Sequence, residues 1–145
     1  MDGSFKFWTV ADKSGLLLAM MEELAGDAHI SFEGDFRGLR LLSALGASQE
    51  ETPALKRNTL WPKQDFVVLP LEPSMSKTIF SAIGGTIPSA IIHVQIDKNA
   101  LLQFASYDNF HPECIVFGPG VKQAVLESLV SQGIMRPFTE RPPRA

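Results

Sequence analysis

Thiols are nearly absent from this chain. Its single cysteine, Cys114, excludes an internal disulfide and a cysteine-only zinc site, and nothing in the composition calls for an oxidising compartment. A cytoplasmic setting is therefore expected. Basic charge is not in excess either: 13 Lys and Arg stand against 16 Asp and Glu, for a net charge of −3. That balance supplies no general attraction to nucleic acid or anionic lipid, so neither a nucleic-acid nor a membrane partner is expected. Long apolar runs are missing too. The longest candidate, Leu16 to Met21, is followed at once by Glu22 and Glu23, and a stretch from Lys13 to Ala25 is too short to cross a bilayer. It reads as a folded helix.

What the chain does have is core material. Its 145 residues are 45% hydrophobic and include ten Phe and two Trp, enough for one well-buried core at the ordinary single-domain size. Residues 1–138 are read as one domain. The Arg- and Pro-rich residues 139–145 are read as a flexible tail.

Periodicity sets the element order. Phe5 to Val10 and Ala28 to Glu33 alternate in the manner of strands, the second ending at a Gly34-Asp35 turn. Between them Leu16, Leu17, Met20, Met21 and Leu24 recur at helical spacing, with Asp12 or Ser14 to cap the start and Gly26 to stop the end. Phe36 to Leu45 fits neither period, leaving a short helix or an irregular strand. Phe66 to Leu71 is a strand, with Leu60 and Trp61 expected to pack against it. Pro70 confines that strand to a sheet edge or ends it. Pro73 to Ile83 reads as a helix capped by Ser74 or Ser76 and stopped at Gly84-Gly85. Ile91 to Asp97 and Leu101 to Tyr107 make an antiparallel hairpin with Ile92, Val94 and Ile96 facing the core. Cys114 to Phe117, a helix from Val121 to Val130 stopped at Gly133, and a strand from Ile134 to Phe138 complete the order. The expected fold is α+β: an antiparallel or mixed sheet with about three helices packed mainly on one face, in a single domain.

Chemistry-bearing residues concentrate in one place. Tyr107 to Cys114 gathers Asp108, Asn109, His111, Glu113 and the only thiol within eight residues. His111, Glu113 and Cys114, with Asp108, are the donor types a metal requires if the loop folds back, although His-x-Glu-Cys is no established zinc spacing and Pro112 stiffens it. His111 beside Cys114 is equally the minimum for a thiol nucleophile, against which stands the habit of a lone cysteine opening an apolar run to be a buried hydrophobe. Gly118, Gly120 and Lys122 precede a helix and offer amides and an ammonium to an anion, without completing a Walker A or dinucleotide fingerprint. No cofactor is implied. His29 and His93 lie inside strands and become interesting only if pairing brings an acid near, while Glu33 and Asp35 are two carboxylates at one turn. Arg37, Arg40, Lys56, Arg57 and Lys63, interspersed with Phe36, Trp61 and Phe66, have the composition of a sparse single-strand nucleic-acid surface, broken by Glu50 and Glu51.

Two functions of different class follow. The first is a small soluble regulatory or protein-interaction domain without catalysis, such as an inhibitor, an immunity-type protein or an adaptor. Its partner would meet the acidic N-terminal third, where Asp2, Asp12, Glu22, Glu23, Asp27, Glu33 and Asp35 face only Lys6 and Lys13. The alternative is a small enzyme or a ligand- or metal-binding domain that uses the Asp108–Cys114 loop and the Gly118–Lys122 helix start. Substrate, partner identity and oligomeric state are not encoded in any motif of the chain.

Overall fold

The computed structural model describes residues 7–43 and 46–138. The elements run β1 (Phe7–Val10), α1 (Lys13–Leu24), β2 (Ala28–Gly34), β3 (Asp65–Leu71), α2 (Ser76–Ala82), β4 (Ile91–Lys98), β5 (Leu101–Ser106), β6 (Ile115–Phe117), α3 (Gln123–Ser131) and β7 (Met135–Phe138). Five strands form one antiparallel sheet in the order β3-β2-β4-β5-β6, and β1 pairs with β7 in a separate antiparallel ribbon. The α+β expectation holds, with the antiparallel alternative realised. Among the described residues no helix is long and apolar enough to cross a membrane. The tail at 139–145, the start of the first predicted strand at Phe5 and Lys6, and the end of the ambiguous stretch at Ala44 and Leu45 lie outside the described residues.

Local chemistry explains the boundaries. Asp12 caps α1 by accepting the Gly15 amide at 2.9 Å, and the opposite end meets a cation: Lys98 Nζ donates to the carbonyls of Leu24, Ala25 and Gly26. Those carbonyls carry the negative end of the helix dipole, so a lysine from the neighbouring strand is the natural closure. α2 is shorter than its predicted span, and neither Ser74 nor Ser76 is its cap. Met75 holds that position without a side-chain bond, and Ser76 is buried inside the first turn. The undecided stretch after Phe36 forms a single 3-10 turn at Leu41–Ser43, with Phe36 and Leu41 buried. Pro70 lies in β3, which is an edge strand as its missing amide requires.

The alternation of β2 and β4 splits the sheet into two unlike faces. Ala28, Ile30 and Phe32 of β2 join Val94 and Ile96 of β4 and Phe104 of β5 in the main core, under Leu16, Leu17, Met20 and Met21 of α1 and Ile79 of α2. Fully burying rings such as Phe32 and Phe104 contributes about 1.5–3 kcal/mol each. Ile92 does not join them. A bulge opposite Glu33 and Gly34 pairs Gly34 with Ile91 instead, so Ile91 is buried and Ile92 is half-exposed. The extra residue reverses which side chain points inward.

The second face carries His29, Ser31 and Glu33 on β2, paired in register with Asp97, Gln95 and His93 on β4. It is polar, yet Ser31, Glu33, Gln95 and Asp97 are buried. Glu33 and Gln95 are met there by the segment between Ser48, which bridges to Val68 at the sheet edge, and Gln64. This strap contributes one apolar anchor, Leu55, which is buried with Phe66 and Val68 in a second small cluster.

Candidate functional site

The predicted Tyr107–Cys114 loop is held by its own polar groups. Asp108, Asn109 and Phe110 all have positive φ, a conformation that Asp and Asn tolerate better than most residues. The burial of Phe110 anchors the third of them. Asn109 donates to the Ser89 carbonyl at 2.8 Å and accepts from Lys13 Nζ at 2.7 Å. His111 caps the 3-10 turn Pro112–Cys114, its Nδ1 accepting the Glu113 amide at 3.1 Å. Cys114 Sγ lies 4.0 Å from that same nitrogen, whose lone pair is already engaged. Burial, and then the negative charges of Asp108 and Glu113, push the Cys114 thiol above its ordinary pKa, the opposite of what activates a nucleophile. Among the described residues no three His, Cys, Asp or Glu side chains converge as a metal-ligand set.

A direct consequence is slow chemistry at Cys114. With its pKa raised, the thiolate at pH 8 is scarcer than in a free thiol, and alkylation by iodoacetamide should be slower than that of glutathione. The rate should climb only as pH passes above the ordinary thiol range. The protonated form being favoured by folding, this residue's contribution to stability fades in that same rise. An alkylation rate equal to or above glutathione's at pH 8 would contradict the assigned environment.

Gly118 and Gly120 serve packing. The Gly118 amide donates to the Gln103 carbonyl at 2.7 Å and the Gly120 amide to Gln103 Oε1 at 2.6 Å. A Cβ on Gly118 would meet Gln103 Oε1 at 2.5 Å and the Leu102 carbonyl at 2.9 Å. Both amides are thus taken by a neighbouring strand, while Lys122, exposed at the N-cap of α3, makes no capping side-chain bond.

Strand pairing does bring both strand histidines to acids. His29 Nδ1 lies 3.3 Å from Asp97 Oδ1, and the same oxygen accepts the His29 amide at 2.7 Å. His93 stands opposite Glu33. Glu33 and Asp35 take separate partners: Asp35 pairs with the Arg37 guanidinium at 2.6 Å, which holds its carboxyl below the usual range. Glu33, 1% exposed, accepts the amides of Asn58 at 2.7 Å and Thr59 at 3.1 Å. Its carboxylate fastens the strap to the sheet.

Further bonds extend this fastening. Gln95 Oε1 accepts from Ser31 Oγ and from the Lys56 amide, and Gln95 Nε2 donates to the Tyr107 hydroxyl. His93 Nδ1 accepts the Asp108 amide at 3.1 Å. In a neutral ring Nε2 then carries the proton and donates to Thr59 Oγ1, 2.8 Å away. The histidine thus ties the strap to the hairpin loop and, in this tautomer, takes no proton from the threonine.

From this base projects the feature that sequence reasoning misplaced. Leu60 and Trp61 do not pack against β3. They are 91% and 85% exposed at the strap's tip, because Leu55 already fills the apolar place against Phe66 and Val68. The tip's flanks are cross-braced: Arg57 donates to the Gln64 carbonyl and stacks 5.0 Å from the Phe66 ring centroid, and Gln64 donates to the Pro62 carbonyl. Phe36 and Phe66 are buried in different clusters, so of the three rings near the basic residues only Trp61 faces solvent. A strap cannot be read from periodicity, but two bulky apolar residues next to Pro62 and between Arg57 and Lys63 were the available signal.

Comparison with known proteins returns no match to a family model, a curated protein or a solved structure.

Proposed function

We propose that this is a protein-interaction domain of the inhibitor, immunity-type or adaptor kind, and that Leu60 and Trp61 are its anchor for a partner. The observation that carries this reading is an exposed Leu-Trp pair on a strap whose base is fixed by Glu33, Thr59 and Gln95. Leaving two such side chains in water is unfavourable, and a braced tip loses little conformational freedom on binding. Tryptophan is also among the residues that dominate binding energies at interfaces. A partner with an apolar pocket and an acidic rim would suit the tip, because Lys63 is exposed two residues from Trp61 and Lys56 is exposed on the same strap.

Native mass spectrometry of the protein isolated gently from its host tests this reading. The wild type should retain a stoichiometric protein partner, and Trp61→Ala should lose it by at least tenfold in occupancy while keeping its thermal midpoint, since an exposed side chain contributes little to folding. A partner held equally by the variant would move the interface elsewhere.

A further inference from the structure

We infer that the groove between α1 and α3 receives the Leu60–Trp61 tip of a second copy of this chain. This rests on the interaction reading and names the partner. The groove is a shallow, open depression of about 390 Å³, with Ala19, Ala124 and Val125 along its floor and Glu22, Glu23, Ser128 and Gln132 around them. Among the described residues neither glutamate is paired with a cation and neither Lys56 nor Lys63 with an acid. Glu51 and Asp65, the acids closest in sequence to the tip, turn their carboxylates onto the amides of Arg57 and Phe36.

Each surface therefore has an apolar centre and unpaired charge, of opposite sign on the two. Burying a tryptophan removes roughly 150–250 Å² from water, and the ammonium and carboxylate groups would meet at the rim, where they set orientation more than affinity. The tip belongs to the strap layer and the groove to the helical layer on the other face of the sheet. The contact is consequently head-to-tail, and each bound copy still presents one free tip and one free groove. Association of this type does not stop at a dimer unless the rotation closes a ring.

Sedimentation velocity of the full chain across a concentration series at low salt tests the inference with two charge-reversed variants, Lys56→Glu/Lys63→Glu and Glu22→Lys/Glu23→Lys. The wild type should sediment with a mass that rises with concentration beyond the monomer and falls on adding salt. Each variant alone should weaken association at least tenfold, as should Trp61→Ala. An equimolar mixture of the two reversed variants should regain it, because each tip then meets a groove of opposite charge. A wild type that stays monomeric throughout the series, or a mixture that stays monomeric, overturns the second-copy assignment. If a different protein is still retained through Trp61 in native mass spectra, the interaction reading survives that result; if that is lost as well, both fall.

Discussion

Gly34→Ala should cost about 3 kcal/mol of folding stability and lower the thermal midpoint by roughly 10 °C. A methyl group at this position would lie 2.1 Å from the Ala90 carbonyl oxygen and 2.9 Å from the Ile91 Cα. Both obstacles are backbone, and they cannot rotate away. The Ala90 carbonyl is also held in place, since it accepts the Asp35 amide at 3.1 Å. Relief would require β2 and β4 to separate at the bulge, which is the feature that turns Ile91 rather than Ile92 into the core.

The useful comparison is Gly38→Ala. Gly38 has a φ of +80°, but a Cβ there meets nothing within 4 Å. Only the dihedral penalty applies, about 1–2 kcal/mol for an L residue in the left-handed region. Thermal or urea melts of the two variants separate contact from conformation. Equal losses would mean that the close approach at Gly34 is relaxed in solution.

The elements that proved readable were those with a strong local signal, a buried apolar stripe or a short polar turn between two strand-like runs. α1 was legible because Leu16, Leu17, Met20, Met21 and Leu24 share a stripe and all are buried, and the β4-β5 hairpin because two strand-like runs flank a short polar connection, although β4 is covered on both faces. Trouble began where both faces of a strand are covered. In β2 the polar residues Ser31 and Glu33 are buried along with Ile30 and Phe32, and alternation then says nothing about which polar side chains are bonded and which are merely wet. Glu33 looked like half of a carboxylate pair at a turn. Its role depends on the amides of Asn58 and Thr59, 25 and 26 residues away, and no local pattern encodes such a bond. The Asp108–Cys114 loop misled for the converse reason: its density of polar residues is needed to close three successive positive-φ positions and a 3-10 turn, a structural demand that resembles a reactive composition.

The same dependence makes Glu33→Ala the most informative substitution in the strap. It removes the acceptor of two backbone amides at 2.7 and 3.1 Å and leaves a small void beneath the segment. Charge-assisted bonds of this kind are stronger than neutral ones, and the loss should be about 3 kcal/mol, moderated by water reaching Asn58, which is already exposed. Glu33→Gln should fall between, because its amide offers one oxygen to Asn58 but sets an NH₂ group against the Thr59 N–H. The damage should be local. Hydrogen exchange at Lys56, Asn58 and Thr59 should accelerate at least tenfold while the amides of β2 and β4 stay protected, and trypsin should begin to cut after Lys56, Arg57 or Lys63. Unchanged exchange at these amides would mean that Leu55, Gln95, His93 and the Ser48–Val68 bridge hold the strap without the carboxylate. If exchange does accelerate, the variant also tests the anchor: Leu60 and Trp61 are intact, but their base is loosened, so partner affinity should drop through lost preorganisation rather than lost contact. A Glu33→Ala chain that binds as tightly as the wild type would leave the tip as a simple apolar plug, with the buried carboxylate serving the fold only.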